Sequence, residues 1–533
     1  MSSSLTLSGT IHVLGDLLGQ VLTELEGPAL FEEEERIRAL AKERRGGDPA
    51  AGAALAERVA ALAPDAARGV AGAFALYFDL VNLAEEAHRV RALRQRARER
   101  HPAPIEESIG AAVAQLRSRG VTPQQMAGLL GRLSIEIVLT AHPTEAKRRT
   151  VLSKLRRITA LLQALGEADA LADERQDAQR ALHAEIAALW LTDRARTTKP
   201  TVPDETRTAL YFVDSVLWDA LPRLYRELEE ALALHYPGLP PPAGWLRLAS
   251  WVGGDRDGNP YVTTRVTRNT LRLHRGLALE RHRLALHEWA RRLSVSALRV
   301  PPPPALSAWL EGQRPLPPHV AEVEARYPQE PYRLALTLLV AQLDQALAEN
   351  VAGGQQERWP KRQSLHAAAV TSPLELLLQA LPAPVTQDGL HTLRLQLQVF
   401  GLHAARLDLR EDSGRLQYAL GGLLQGLDVL QQEAFLALDA EARGALLMRL
   451  LEQPGPTPNL DGDDTGRLFR LLAQARRAYG PEGIGPFIIS MTRSAADVLG
   501  VLLLARWAAC DAGLSIAPLF ETLEDLQAAP RVL

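Results

Sequence analysis

The chain has 533 residues, 47% hydrophobic and 23% charged, with a formal net charge of −3. That length suffices for two to four ordinary domains or one large one, and the composition is that of a core-forming protein, which excludes a disordered chain. The near-neutral balance gives no reason to expect a nucleic-acid or anionic-membrane surface, and the single cysteine, Cys510, excludes an internal disulfide and a thiolate-cluster metal site.

The opening Met-Ser-Ser-Ser lacks the basic-then-apolar pattern of a signal peptide, and no apolar run approaches the ~20 residues that span a bilayer. The expected address is the cytoplasm, without a membrane or nucleic-acid partner. Over residues 11–25, Val13, Leu14, Leu17, Leu18, Val21 and Leu22 recur at helical spacing until Glu26-Gly27-Pro28 stops the run. Residues 31–43, 50–63, 70–99 and 105–119 continue the pattern and read as helical scaffold. A strand follows at Ile137, Val138 and Leu139 and halts at Ala141-His142-Pro143-Thr144. Pro143 fixes its own φ and pushes His142 away from helical geometry. A helix-like run then opens with Thr144 and Glu145 and carries Lys147, Arg148 and Arg149. A histidine at a strand-to-helix turn beside three cations is placed to hold an anion and move a proton. From this stretch alone, an ordinary loop with a solvated basic face reads equally well.

Residues 151–165, 172–193 and 206–235 are expected to be helical, with a loop at 197–203. A short apolar run, 246–252, leads into Gly253-Gly-Asp-Arg-Asp-Gly-Asn-Pro260. Helices resume over 268–293, with loops at 300–304 and 351–354. Residues 393–399 read as helix and 405–409 as a strand that ends in Arg410. Residues 487–490 read as a strand ending at Met491-Thr-Arg-Ser494, and 514–520 as a strand ending at Glu521. No fixed-period repeat runs through the chain, so a helical-repeat array is not expected.

Five strands thus each run into a polar cluster: His142 with the three cations, Asp255-Arg256-Asp257, Arg410, Arg493 and Glu521. Strands alternating with helices imply a parallel sheet, and in parallel barrels the chemistry gathers at the C-terminal strand ends. Arg410 and Arg256 can each grip phosphate or carboxylate through paired hydrogen bonds, Glu521 suits a hard divalent cation, and His142 is the natural proton handler. Each has a structural alternative. Arg410 can pair with Glu411 or Asp412, Glu521 can cap the helix after it, and Asp257 belongs to an Asp-Gly-Asn-Pro turn signature that favours a structural role. Residues 255–266 are not an EF-hand, because Gly258 is fourth rather than sixth and Val266 stands where the twelfth-position glutamate belongs. Residues 461–466 read as a solvated loop that caps the next helix, His403 as a core histidine or one that supports the site from behind, and the chain has no Gly-x-x-x-x-Gly-Lys loop for nucleotide phosphates.

Residues 138–144 (Val-Leu-Thr-Ala-His-Pro-Thr), 250–260 (Ser-Trp-Val-Gly-Gly-Asp-Arg-Asp-Gly-Asn-Pro), 407–410 (Leu-Asp-Leu-Arg), 489–499 (Ile-Ser-Met-Thr-Arg-Ser-Ala-Ala-Asp-Val-Leu) and 518–523 (Pro-Leu-Phe-Glu-Thr-Leu) resemble, in family order, the motifs of phosphoenolpyruvate carboxylases. Residues 14–19 (Leu-Gly-Asp-Leu-Leu-Gly) resemble that family's first helix. The resemblance implies a mostly α fold with an α/β core: an incomplete parallel (β/α)8-type barrel surrounded by many helices. Residues 1–133 would be an N-terminal helical region and 134–533 the partial barrel with long helical insertions, within one family domain covering about 11–526. It further implies a Mg²⁺- or Mn²⁺-dependent enzyme that joins bicarbonate to phosphoenolpyruvate, giving oxaloacetate and phosphate. By motif position, His142 would deprotonate carboxyphosphate and hold carbon dioxide, Arg410 would bind the substrate phosphate, and Glu521 would ligate the metal; Arg256, from the chemistry of its guanidinium, is the second expected substrate ligand. The family's Gly-Tyr-Ser-Asp-Ser-x-Lys and Phe-His-Gly-Arg-Gly-Gly segments are not among the 533 residues. The corresponding expectation is a truncated or split N-terminal part, inactive by itself, that pairs with a complementary C-terminal chain and forms a homo-oligomer, a tetramer, when complete. The alternative is a non-catalytic helical scaffold or degenerate relative that binds an anionic ligand.

Overall fold

The computed structural model describes residues 6–140, 147–166, 171–194, 199–257, 259–355, 359, 365–387, 389–453 and 455–533. They fall into two units. The first comprises residues 1–111 and 142–199. Its helices Pro28–Arg45, Pro49–Ala60 and Pro64–Arg100 each begin on a proline, whose missing N–H is not needed in a first turn. The stripe read from the sequence, Leu14, Leu18, Val21 and Leu22 on helix Leu7–Glu26, is buried against Leu76 and Leu80 of Pro64–Arg100. Val151, Leu155 and Ile158 of Arg149–Leu165 and Leu182 and Ile186 of Ala172–Trp190 complete that core. Sequence reading divides the chain once, between residues 133 and 134. The first unit is instead discontinuous, because the apolar faces of these two later helices are buried with the N-terminal ones.

The second unit comprises residues 112–141 and 200–533 and holds a five-stranded parallel sheet in chain order. Its strands are β1 (Ile135–Leu139), β2 (Leu246–Ser250), β3 (Arg406–Asp412), β4 (Ile484–Ser490) and β5 (Ile516–Pro518). Helices connect them, as parallel neighbours require. All five expected strands are present, so the fold is mostly α with an α/β core. Five parallel strands are what is observed, and barrel closure is carried by the resemblance alone.

Strand alternation sorts the side chains of β3. Leu407, Leu409 and Glu411 are buried on one face, the leucines in a core with Phe469 and Phe487. Arg406, Asp408 and Arg410 take the other face, where Arg406 bonds Glu136 of β1 at 3.1 Å. The β2–β3 connection builds its own core around helices Thr264–Arg292 and Pro331–Gln355. The helical stretch expected at 206–235 is continuous but contains a π-helical turn, Val213–Leu217. Pro222 follows and offers no N–H to the carbonyl of Trp218. Gln396 Nε2 donates to that carbonyl at 3.4 Å instead. Among the described residues no helix is long and apolar enough to cross a membrane.

Candidate functional site

Arg410 lies near the C-terminal end of β3, and the loop after β2 is stitched to it. The Arg256 N–H donates to Arg410 O at 2.8 Å, and the Arg410 N–H donates to Gly254 O at 3.0 Å. This extends the sheet by one bridge, Asp255 to Arg410. Gly253 turns the chain into the loop with φ of +85°, as a glycine readily does.

Arg410 meets three carboxylates from two chain segments. Its Nη2 donates to Asp257 Oδ2 at 2.6 Å and to Glu521 Oε1 at 3.1 Å, and its Nε lies 3.8 Å from Asp255 Oδ1. Its guanidinium carbon is 5.5 Å from the centre of the Trp251 ring, and Trp251 Nε1–H donates to Asp408 Oδ2 at 3.1 Å. Burial pushes the Asp408 carboxyl up to about 6, with Glu136 adding to the effect and Trp251 and Arg406 opposing it. Burial also raises Asp255, against the pull of Arg410.

The structure gives each of these side chains its partners. Arg410 bonds Asp257 and Glu521 rather than Glu411 or Asp412. Glu521 is not the cap of helix Leu523–Val532; Thr522 and Asp525 form its capping box. Asp257, expected to be structural, touches Arg410 directly. Arg256 is placed differently from the expectation. It is 1% exposed, with Nε donating to Glu411 Oε2 at 2.8 Å, Nη2 to Asp464 Oδ2 at 2.5 Å and Nη1 to Thr264 Oγ1 at 3.3 Å. A guanidinium committed in this way cannot also serve as a second anion ligand beside Arg410. The signal for this was present in the alternation of Asp255-Arg256-Asp257, which sends Arg256 inward when its neighbours face Arg410.

His142 lies outside the described residues. Of the cations after it, Lys147 Nζ donates to Asp79 Oδ1 at 2.7 Å and Arg148 Nη1 to Asp193 O at 2.6 Å, all within the first unit. Arg493 is exposed after β4, beside the capping box of helix Ala495–Trp507. Asp463 caps helix Asp464–Tyr479 as expected of that loop, and His403 is half-buried. A groove of about 760 Å³ lined by Arg226, Glu229, Glu375, His391 and Arg394 shares no residue with the Arg410 cluster.

The resemblance assigns the metal one ligand in this chain, Glu521, and that carboxylate is bonded to Arg410. Among the described residues no three His, Cys, Asp or Glu side chains are grouped to hold a metal ion, so these residues alone do not make its site.

The family described as phosphoenolpyruvate carboxylase matches residues 7–533. A phosphoenolpyruvate carboxylase of Roseiflexus castenholzii is 39% identical over 553 residues, covering 99% of this chain and 58% of the relative. That of Thermus thermophilus is 37% identical over 537 residues, with 99% and 58% covered. That of Xanthomonas euvesicatoria is 34% identical over 539 residues, with 98% and 57% covered. The chain therefore spans about 58% of the length of these relatives. The likenesses support neither a truncated, inactive chain nor a non-catalytic scaffold.

Proposed function

The chain belongs to the phosphoenolpyruvate carboxylase family, and on that premise we propose that it serves the carboxylation of phosphoenolpyruvate by bicarbonate, yielding oxaloacetate and phosphate. The observation that carries the reading is Arg410, a guanidinium near a strand end, held by Asp257 and Glu521 with its side chain 17% exposed. Its planar fork suits a phosphate better than a point charge does.

In this reaction bicarbonate attacks the phosphoryl group, giving carboxyphosphate and the enolate of pyruvate. Carboxyphosphate loses its proton and breaks into carbon dioxide and phosphate, and the enolate carbon bonds the carbon dioxide. Arg410 would hold the phosphoryl oxygens and stabilise their charge as it shifts. His142 is assigned by its motif as the base that takes the carboxyphosphate proton. Glu521 is the proposed protein donor to Mg²⁺ or Mn²⁺, with further donors from outside the described residues. A cytoplasmic setting, a homo-oligomeric state and completion of the site by further polypeptide belong to the same proposal.

The test is oxaloacetate formation from phosphoenolpyruvate and labelled bicarbonate. It is run with the chain alone and with a polypeptide supplying the rest of the relatives' length. In whichever preparation is active, His142→Asn is expected to slow turnover by about 10²–10⁴-fold while phosphoenolpyruvate still binds. Unchanged turnover would remove His142 from the mechanism, and no oxaloacetate in either preparation would remove the carboxylase reading.

A further inference from the structure

Asp255-Arg256-Asp257 and Arg410-Glu411 oppose each other with complementary charge on both faces of the bridged backbone. On one face Arg410 meets Asp257 at 2.6 Å and Asp255 at 3.8 Å. On the other, Glu411 accepts from Arg256 at 2.8 Å. Neither member of this second pair reaches solvent, with side-chain exposures of 2% and 0%. The two backbone bonds joining Arg256 with Arg410 and Arg410 with Gly254 lie between the faces. Asp464 and Thr264 take the remaining guanidinium nitrogens of Arg256.

A buried ion pair contributes little net stability, since desolvation offsets its attraction, and apolar residues of similar volume often replace one without loss. What such a pair can fix is conformation. Pulling Arg256 inward leaves its two neighbours no choice of face, and both carboxylates then point at Arg410. We propose that Arg256 is a positioning residue: with Glu411 it forms a buried clamp that sets Asp255 and Asp257 against Arg410 and so fixes the aim of the anion-binding guanidinium. The proposal rests on the reading of Arg410 as the phosphate ligand.

Two readouts keep the clamp and that reading separable. The first is hydrogen–deuterium exchange of residues 253–257 and 407–411 in the wild type, Arg256→Met/Glu411→Leu and Glu411→Gln, alongside thermal unfolding. The clamp predicts that these amides exchange roughly tenfold faster or more in both variants, while the double variant unfolds near the wild-type temperature. Should the double variant fail to fold, Glu411→Gln, which keeps the side-chain shape and removes the charge, decides alone. Unchanged exchange overturns the proposal. The second readout is titration with phosphoenolpyruvate. Glu411→Gln is expected to bind about tenfold more weakly. Tighter binding would mean that a freed Arg256 takes the ligand itself, which also overturns the proposal. A wild type that binds no phosphoenolpyruvate sinks the reading of Arg410 and leaves the exchange result to judge the clamp.

Discussion

At Arg410 one guanidinium stands among three carboxylates, Asp255, Asp257 and Glu521, so this corner of the protein carries more negative charge than it neutralises. A phosphate that takes Nη2 must displace Asp257 or Glu521, which makes those carboxylates competitors of the ligand at that nitrogen as well as supports of its binding group. The partners of Arg410 were not legible in the sequence, because they lie 153 and 111 residues away and two acids, Glu411 and Asp412, stand next to it. Strand alternation decides against the near ones: Glu411 points to the opposite face, and Asp412 caps the helix Ser413–Gly426. The buried histidines give a prediction at the same scale. His274 and His282 bond carbonyl oxygens at 2.9 and 2.8 Å, and burial pushes them down to about 4 and His403 to about 3, from an ordinary 6.5. The unfolded chain takes up these protons near 6.5 and the folded chain refuses them. Their contribution to stability is therefore complete above 6.5 and is lost as pH falls toward 4. Asp408, raised by burial, acts in the opposite sense, so the clean readout is a difference. The destabilisation caused by His282→Gln, measured by urea unfolding, is expected to shrink by up to about 1.4 kcal/mol per pH unit between pH 6 and about 4.5. A constant difference would show that His282 does not titrate this way.

The loop between β2 and helix Thr264–Arg292 shows why an element can demand glycine. A Cβ on Gly254 would stand 2.0 Å from the Asp408 carbonyl oxygen and 3.1 Å from Leu407 Cγ, both on β3. Gly254→Ala must therefore push the loop off the strand and break the bond from the Arg410 N–H. A cost of about 1–3 kcal/mol in thermal or urea unfolding is expected, as for other overpacked sites. Gly444, inside helix Ala440–Glu452, has nothing within 4 Å of its Cβ position, so Gly444→Ala is expected to be neutral or to stabilise by about 0.5–1 kcal/mol. Equal losses in the two variants would contradict this account of the loop. All five strands were legible because each is a short apolar run ending abruptly in polar residues. Their ends were less so: β3 continues through Arg410 to Asp412 and β4 begins at Ile484. Those residues are strand by virtue of pairing with neighbours, which local composition does not report.

Across the whole chain, the two units each have a core of their own, and sequence periodicity identified most of the helices that build them. What periodicity could not give was the return of helices Arg149–Leu165 and Ala172–Trp190 to the N-terminal helices, since an amphipathic stripe shows that a face is buried and not which partner buries it. Family membership extends over residues 7–533 and the relatives are longer, so the activity belongs to the proposal while the Arg410 cluster stands on its own geometry. Calorimetric titration of phosphoenolpyruvate into the chain and its Arg410→Gln variant tests the central claim most directly. The account predicts saturable binding to the wild type and affinity lowered by about 10–100-fold in Arg410→Gln, the range expected for losing a charge-assisted pair of hydrogen bonds. Equal affinity in the two proteins would contradict it.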